Sequence, residues 1–163
     1  MKTIIITLGL MLAVSLTAQT KYYSNTKTFY ESGYTYQCDV RGSGIATLYN
    51  KNNQWTYTAQ IYAATGENFA PTSDKWVPLT ERKAGTSLKR ESIVKNRLSE
   101  SEKQRVKGSV ISIDMYINPQ TGKIVEVSFE FHETSPFATI PVSVYRNIET
   151  DLKSQLSFTP TDE

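Results

Sequence analysis

His132 is the only histidine of the chain, with Glu130 two residues before it and Glu133 directly after. A carboxylate beside an imidazole is the pairing that general acid–base catalysis uses, and residues i and i+2 of a strand point to the same side. Ser112, Asp114 and Ser128 fall on the polar side of the same alternating pattern. Three carboxylates in it, Asp114, Glu126 and Glu130, offer weak calcium ligation, but loops rather than strands usually supply such ligands. Cys38 is the only cysteine. It and His132 would form a nucleophile pair only if the fold joined them, and neither has the local context of a cysteine hydrolase. The expected role of Ser112, Asp114, Ser128, Glu130 and His132 is therefore ligand contact on a solvent-facing strand row, with no catalytic residue assigned.

Other chemistry is excluded by what is missing. One histidine rules out the common zinc patterns, and one cysteine rules out an internal disulfide. There is no Gly-x-Ser-x-Gly, phosphate loop or dinucleotide fingerprint, so no cofactor is expected. A net charge of +2 is too weak to imply a nucleic-acid partner. Ten tyrosines and two tryptophans invite a carbohydrate-binding reading, although aromatic residues also simply suit strands.

The elements that must position these residues are most legible in the last third. In Ser109–Asn118 the odd positions Ile111, Ile113, Met115 and Ile117 are apolar, and in Ile124–His132 the odd positions Val125, Val127, Phe129 and Phe131 are. Two period-two runs joined by residues 119–123 predict a hairpin with one buried face. A four-residue loop ending at Gly122 would put the two faces out of phase, so the turn must differ in length or contain a bulge. Tyr145, Ile148, Leu152 and Leu156 form one stripe of a helix from Val142 to Leu156. A short extended segment, Ser157-Phe158-Thr159-Pro160, follows it.

Upstream, Ser87–Leu98 reads as a helix, and Ser99 with Glu102 has the spacing of a capping box for a second helix ending at Gly108. The first third is a predicted meander: Thr28–Tyr30, a Ser32-Gly33 turn, Tyr34–Val40, Ile45–Tyr49, and then Trp55, Tyr57, Ala59 and Ile61 after the turn cluster 50–53. Tyr34, Tyr36, Cys38 and Val40 alternate with polar residues, which makes Cys38 an inert core thiol. Residues 63–88 have no sustained period, and Phe69 and Trp76 there are expected to pack on the sheet. Cys38, Trp55, Ile113, Met115, Val127, Phe129, Ile148 and Leu152 are the expected core.

Lys2 followed by an apolar run from Ile4 to Leu16, then Thr17-Ala18-Gln19, has the layout of a secretory signal peptide cut after Ala18. That run is too short to span a bilayer comfortably, and with no cysteine at the cut a lipoprotein is disfavoured. The expected division is a signal peptide at 1–18, a meander with its long loop at 19–88, and a helical linker plus strand-strand-helix-strand unit at 89–163. The last two share one core. The mature chain is expected in the periplasm or secreted, with no membrane span. Charge is uneven: residues 74–107 carry ten Lys/Arg and five Asp/Glu, whereas 108–163 carry three and eight.

The stretch from Val106 to Thr161 resembles the carboxy-terminal domain of the TonB family. The likeness rests on the hairpin with its turn Asn118-Pro119-Gln120-Thr121-Gly122-Lys123-Ile124, the amphipathic helix, and Phe158-Thr159-Pro160. The whole chain is similar to a family of small secreted Bacteroides proteins described as a domain of unknown function. Tyr34–Val40, Leu48-Tyr49-Asn50-Lys51, Met115–Pro119 and Ala138–Arg146 carry that likeness. The resemblance implies fold and address, not chemistry. Departures from TonB are plain: no retained anchor and no proline-rich spacer, so energy transduction does not transfer. What transfers is a binding mode in which a partner's extended segment adds to a sheet edge.

The sequence thus points to an α+β protein and to an exported, non-catalytic binding module. Its expected partner is a protein or peptide at a sheet edge, or a second copy of the chain. The competing classes are a secreted hydrolase with a site assembled from scattered carboxylates and tyrosines, and a carbohydrate-binding module. A deep pocket with a perturbed carboxylate would favour the enzyme; an apolar strip beside an open edge would favour the binder.

Overall fold

The computed structural model describes residues 20–59, 61, 65–68, 80–81, 86–118 and 120–159. The expected signal peptide, and Phe69 and Trp76, lie outside them. The chain is α+β. Strands β1 (Lys27–Glu31), β2 (Tyr34–Val40) and β3 (Ile45–Asn50) form a meander. After a two-residue strand β4 (Thr80–Glu81) come helices α1 (Thr86–Arg97) and α2 (Glu100–Val106), then the hairpin β5 (Ser112–Ile117) and β6 (Ile124–His132). A 3-10 turn at Pro136–Thr139, helix α3 (Val142–Gln155) and the short β7 (Phe158–Thr159) complete it.

The main sheet is antiparallel throughout, in the order β1-β2-β3-β6-β5. Alternation divides its faces. Tyr36, Cys38, Ala46, Leu48, Val127, Phe129 and Phe131 are buried under α3, whose Tyr145, Ile148 and Leu152 are 1–2% exposed. Tyr145 stacks on Phe131 at 5.6 Å and meets Phe129 at 4.9 Å. Tyr23 closes the cluster, with its ring 5.3 Å from Phe131 and its hydroxyl donating to the Ile140 carbonyl at 2.9 Å. Such ring pairs add about 0.5–1.5 kcal/mol each beyond area burial.

The helix boundaries follow from local signals. Ser99 and Glu102 form the reciprocal capping box at the start of α2. Arg97 holds α1 to α3 through a fork on Asp151, with Nε–Oδ2 at 2.5 Å and Nη2–Oδ1 at 2.7 Å. Hydrogen bonding to Arg97 keeps the Asp151 carboxyl below its ordinary range.

The hairpin resolves its phase problem with a bulge. Tyr116 pairs with Glu126 but Ile117 pairs with Ile124, so Val125 is the extra residue. Ile124 is buried in its stead and Val125 is 42% exposed, which corrects its expected inward position. Gly122 ends the turn at φ +65°, and a Cβ there would lie 1.7 Å from the Phe158 carbonyl oxygen. The last segment therefore runs against this turn, with Phe158 N donating to the Gly122 carbonyl at 2.7 Å. Its strand pairs with β4 and does not extend the main sheet.

Further expectations fail. Among the described residues of 55–61 none lies in a strand: residues 51–58 turn back over the sheet, and Ile61 makes only an isolated bridge to Asn68. The Glu126 carboxylate takes the Gln54 and Trp55 N–H groups at 2.7 and 2.8 Å. Those donors are lost to any ladder, and Trp55 is left 48% exposed rather than in the core. Ile113 and Met115 are only half-buried. Glu149, four residues after Tyr145 and so at the margin of the apolar stripe of α3, is 0% exposed despite its charge. It accepts from the Tyr36 hydroxyl and pairs with Arg146 at 3.2 Å and Lys153 at 2.5 Å. Burial, then the Glu149 charge, push the Tyr36 phenol well above its ordinary range.

Two outcomes are expected in urea unfolding of residues 19–163. Glu149→Ala leaves the buried Tyr36 hydroxyl without an acceptor and costs about 3 kcal/mol; a loss below about 1 kcal/mol would mean that the network does not hold α3 to the sheet. Gly122→Ala costs more than about 1 kcal/mol, through both the positive φ and the clash with Phe158. An unchanged midpoint would contradict the packing of the last strand on this turn.

Candidate functional site

Five residues of the β5–β6 hairpin were expected to contact a ligand. The register brings four together: Ser112 sits opposite Glu130 and Asp114 opposite Ser128 on the face away from α3. Burial raises the Asp114 carboxyl above its ordinary range and Glu130 adds to this, while the Ser128 and Ser112 hydroxyls pull it down. Ser128 is 1% exposed, under the 51–58 turn, rather than open to solvent. Glu130 accepts from Thr47 Oγ1 at 3.0 Å and faces Arg41 at 3.6 Å.

His132 does not join them. Its Nδ1 lies 2.7 Å from Thr134 Oγ1, and its ring covers Gly44, where a Cβ would stand 2.7 Å from Nε2. Glu130 and His132 thus form no acid–base pair. Cys38 faces the core from β2, and burial pushes its thiol up to about 12, which makes it inert at physiological pH. Among the described residues, no group of His, Cys, Asp and Glu could hold a metal ion, and no helix is long and apolar enough to cross a membrane.

Sequence reasoning missed two concavities. The first is a groove of about 630 Å³ between β5 and the helices α1 and α2. Val94, Leu98, Ile111, Ile113 and Met115 form its apolar floor, and Lys95, Lys103 and Lys107 stand on its rim. β5 is the last strand of the sheet, so among the described residues its outer edge has no ladder partner. The other end strand, β1, carries Lys27 and Glu31, charges of the kind that guard an exposed edge. On β5 the only charge is Asp114. The basic middle of the chain therefore has two roles: Lys89 and Arg97 tie α1 to α3, and the later lysines line the groove. The signal in sequence was the apolar alternation of β5, which reads as ordinary core until the helices fall short of covering it.

The second concavity, about 600 Å³, lies between β2, β3 and the 51–58 turn. Asp39 Oδ2 accepts from the Tyr49 hydroxyl at 2.9 Å and the Tyr57 hydroxyl at 3.0 Å, and its Oδ1 from Gln37 Nε2 at 2.8 Å. Neither concavity is lined by Asp114, whose proton affinity is raised.

A raised folded-state pKa means that the native chain holds the Asp114 proton more tightly than the unfolded chain does. Its contribution is favourable in acid and becomes a cost as pH rises past the unfolded value. Asp114→Asn should raise the thermal midpoint at pH 7, by a small amount because the carboxyl is only partly desolvated and solvent still screens it. The gain should vanish near about pH 3, where the carboxyl is protonated in both states. A destabilised variant at pH 7 would show instead that the charge is held by an attractive partner.

A family model described as Domain of unknown function (DUF5043) matches residues 19–163. The fold is similar to the crystal structure of a DUF5043 family protein from Bacteroides uniformis, with a TM-score of 0.80 and 36% identity over 88% of this chain and 80% of that one. No curated protein matches.

Proposed function

This chain belongs to the DUF5043 family, and from that premise we propose that it is an exported, non-catalytic binding module that takes up an extended, acidic polypeptide segment along the outer edge of β5. The observation that carries this reading is the adjacency of that edge to the apolar groove. A strand added to β5 would satisfy the outward backbone groups. Every second side chain would fall over Ile111, Ile113 and Met115. The rim sets the sign of the partner: Lys95 pairs with Glu91 at 2.5 Å and Lys103 with Glu100 at 2.7 Å, while Lys107 makes no ion pair among the described residues, so the balance of the rim is cationic. A second copy paired edge to edge would bring two such rims together, so an acidic partner is favoured over a homodimer.

Export is supported by the amino-terminal pattern and by the family match, which begins at residue 19, directly after the expected cut. An enzyme is the weaker reading, because Asp114 lies in neither concavity.

The test is selection of the mature chain against a random dodecapeptide phage library. Enriched peptides should alternate apolar and acidic residues, and a synthetic copy should protect alternate β5 amides from hydrogen exchange. Lys95→Glu with Lys107→Glu should weaken that peptide about tenfold or more. Failure to enrich, or protection confined to other strands, would overturn the proposal. A dimer by sedimentation whose β5 amides are already protected would replace the acidic peptide with a second copy.

A further inference from the structure

The concavity over β2 and β3 is a second, independently built site. Its wall is the 51–58 turn, which several sheet residues hold in place. Glu126 accepts the Gln54 and Trp55 N–H groups. Asn53 Nδ2 donates to the Val127 carbonyl at 3.0 Å, and the Tyr116 hydroxyl donates to the Thr56 carbonyl at 3.1 Å. Asp39 fixes the two phenol hydroxyls, so the Tyr49 and Tyr57 rings have little freedom left to lose on binding.

The lining defines the chemistry of the ligand. Every residue around the space carries a side-chain nitrogen or oxygen. Apart from Asp39 and Lys51, these are amides and hydroxyls, which both donate and accept. One carboxylate and one ammonium leave no net charge, and three donors already occupy the carboxylate. Neither an anion nor a cation is favoured. Alcohol groups, which also donate and accept, match the amides and hydroxyls. Aromatic surface stands among them: Tyr57 is 53% exposed, with the Arg41 guanidinium 5.6 Å from its ring centroid on one side. The apolar C–H face of a pyranose ring can pack on such surface while its hydroxyls meet the polar wall.

The Tyr49 and Tyr57 rings lie 5.6 Å apart at 83°, so they make a corner rather than a flat shelf. A corner in a space of about 600 Å³ suits one or two sugar rings or a chain end, not the flat side of a packed polysaccharide. We propose that this concavity binds a neutral sugar, as a mono- or disaccharide or the end of a glycan chain.

The test is an array of immobilised neutral oligosaccharides probed with the mature chain, followed by calorimetric titration of the free sugar that binds. Tyr57→Ala and, separately, Lys51→Ala should each weaken binding about tenfold or more. Both should keep the wild-type thermal midpoint within a few degrees, and Lys95→Glu with Lys107→Glu should leave sugar binding unchanged. The proposal is overturned if no neutral sugar binds at millimolar concentration, or if binding survives both Tyr57→Ala and Lys51→Ala. It is overturned equally if only sulfated or carboxylated glycans bind and the lysine variant abolishes that binding, because the ligand would then sit on the groove rim. The Lys51 side chain is exposed and holds no part of the turn, which Lys51 joins only through its backbone N–H to the Thr35 carbonyl, so its variant decides the matter if Tyr57→Ala does not fold.

Discussion

Every layer of this molecule meets at β6. It is flanked by β3 and β5, covered by α3 on one face, and overlaid by the 51–58 turn on the other. A central strand has both edges paired, and from Glu126 to Phe131 no side chain of β6 is exposed, so both of its faces must be matched by something else. Phe129 and Phe131 meet Tyr145 and Tyr23; Glu126 captures two N–H groups of the turn. Displacing β6 by one residue would exchange these faces and leave carboxylates against α3.

That constraint explains where the polar chemistry of the chain went. Glu149 is enclosed beneath α3, where Tyr36, Arg146 and Lys153 complement it. A buried carboxylate with a full set of partners fixes geometry more than it adds stability. Glu126, Asp39 and Asp151 serve in the same way as acceptors that staple a turn, a pair of rings and a helix. These four carboxylates are committed to architecture.

What remains available lies on two sides of the sheet. One side offers a strand edge that has no ladder partner among the described residues, beside an apolar, cationic groove. The other offers a small concavity that is polar, uncharged overall and aromatic at its margin. The two surfaces suit different ligands for a plain physical reason: the first rewards burial of alternate apolar side chains, the second rewards exchange of water for hydroxyls. Membership of the DUF5043 family supports the fold beneath both without naming a ligand for either.

Local patterns were enough for the elements themselves. Period-two alternation marks β2, β5 and β6, a 3–4 spacing of Tyr145, Ile148 and Leu152 marks α3, and Ser99 with Glu102 marks the start of α2. Even an irregularity in the hairpin is implied, because a four-residue loop and the two alternations agree only with a different turn length or a bulge, and the fold takes the bulge. These signals are short-range, and propensity and burial act on neighbouring residues. Ser112, Asp114, Ser128 and Glu130 share a face for the same reason, whereas His132 is drawn aside by Gly44 and Thr134, which no periodicity encodes. Only the tertiary structure decided that Trp55 would stay outside, since the deciding acceptor, Glu126, is 71 residues away. Only it decided that Glu149 would be buried, since its partner Tyr36 is 113 residues away on another element. The groove and the sugar-sized concavity are of that kind too. Each is a space left between elements, and a space between distant segments has no local signature in a chain.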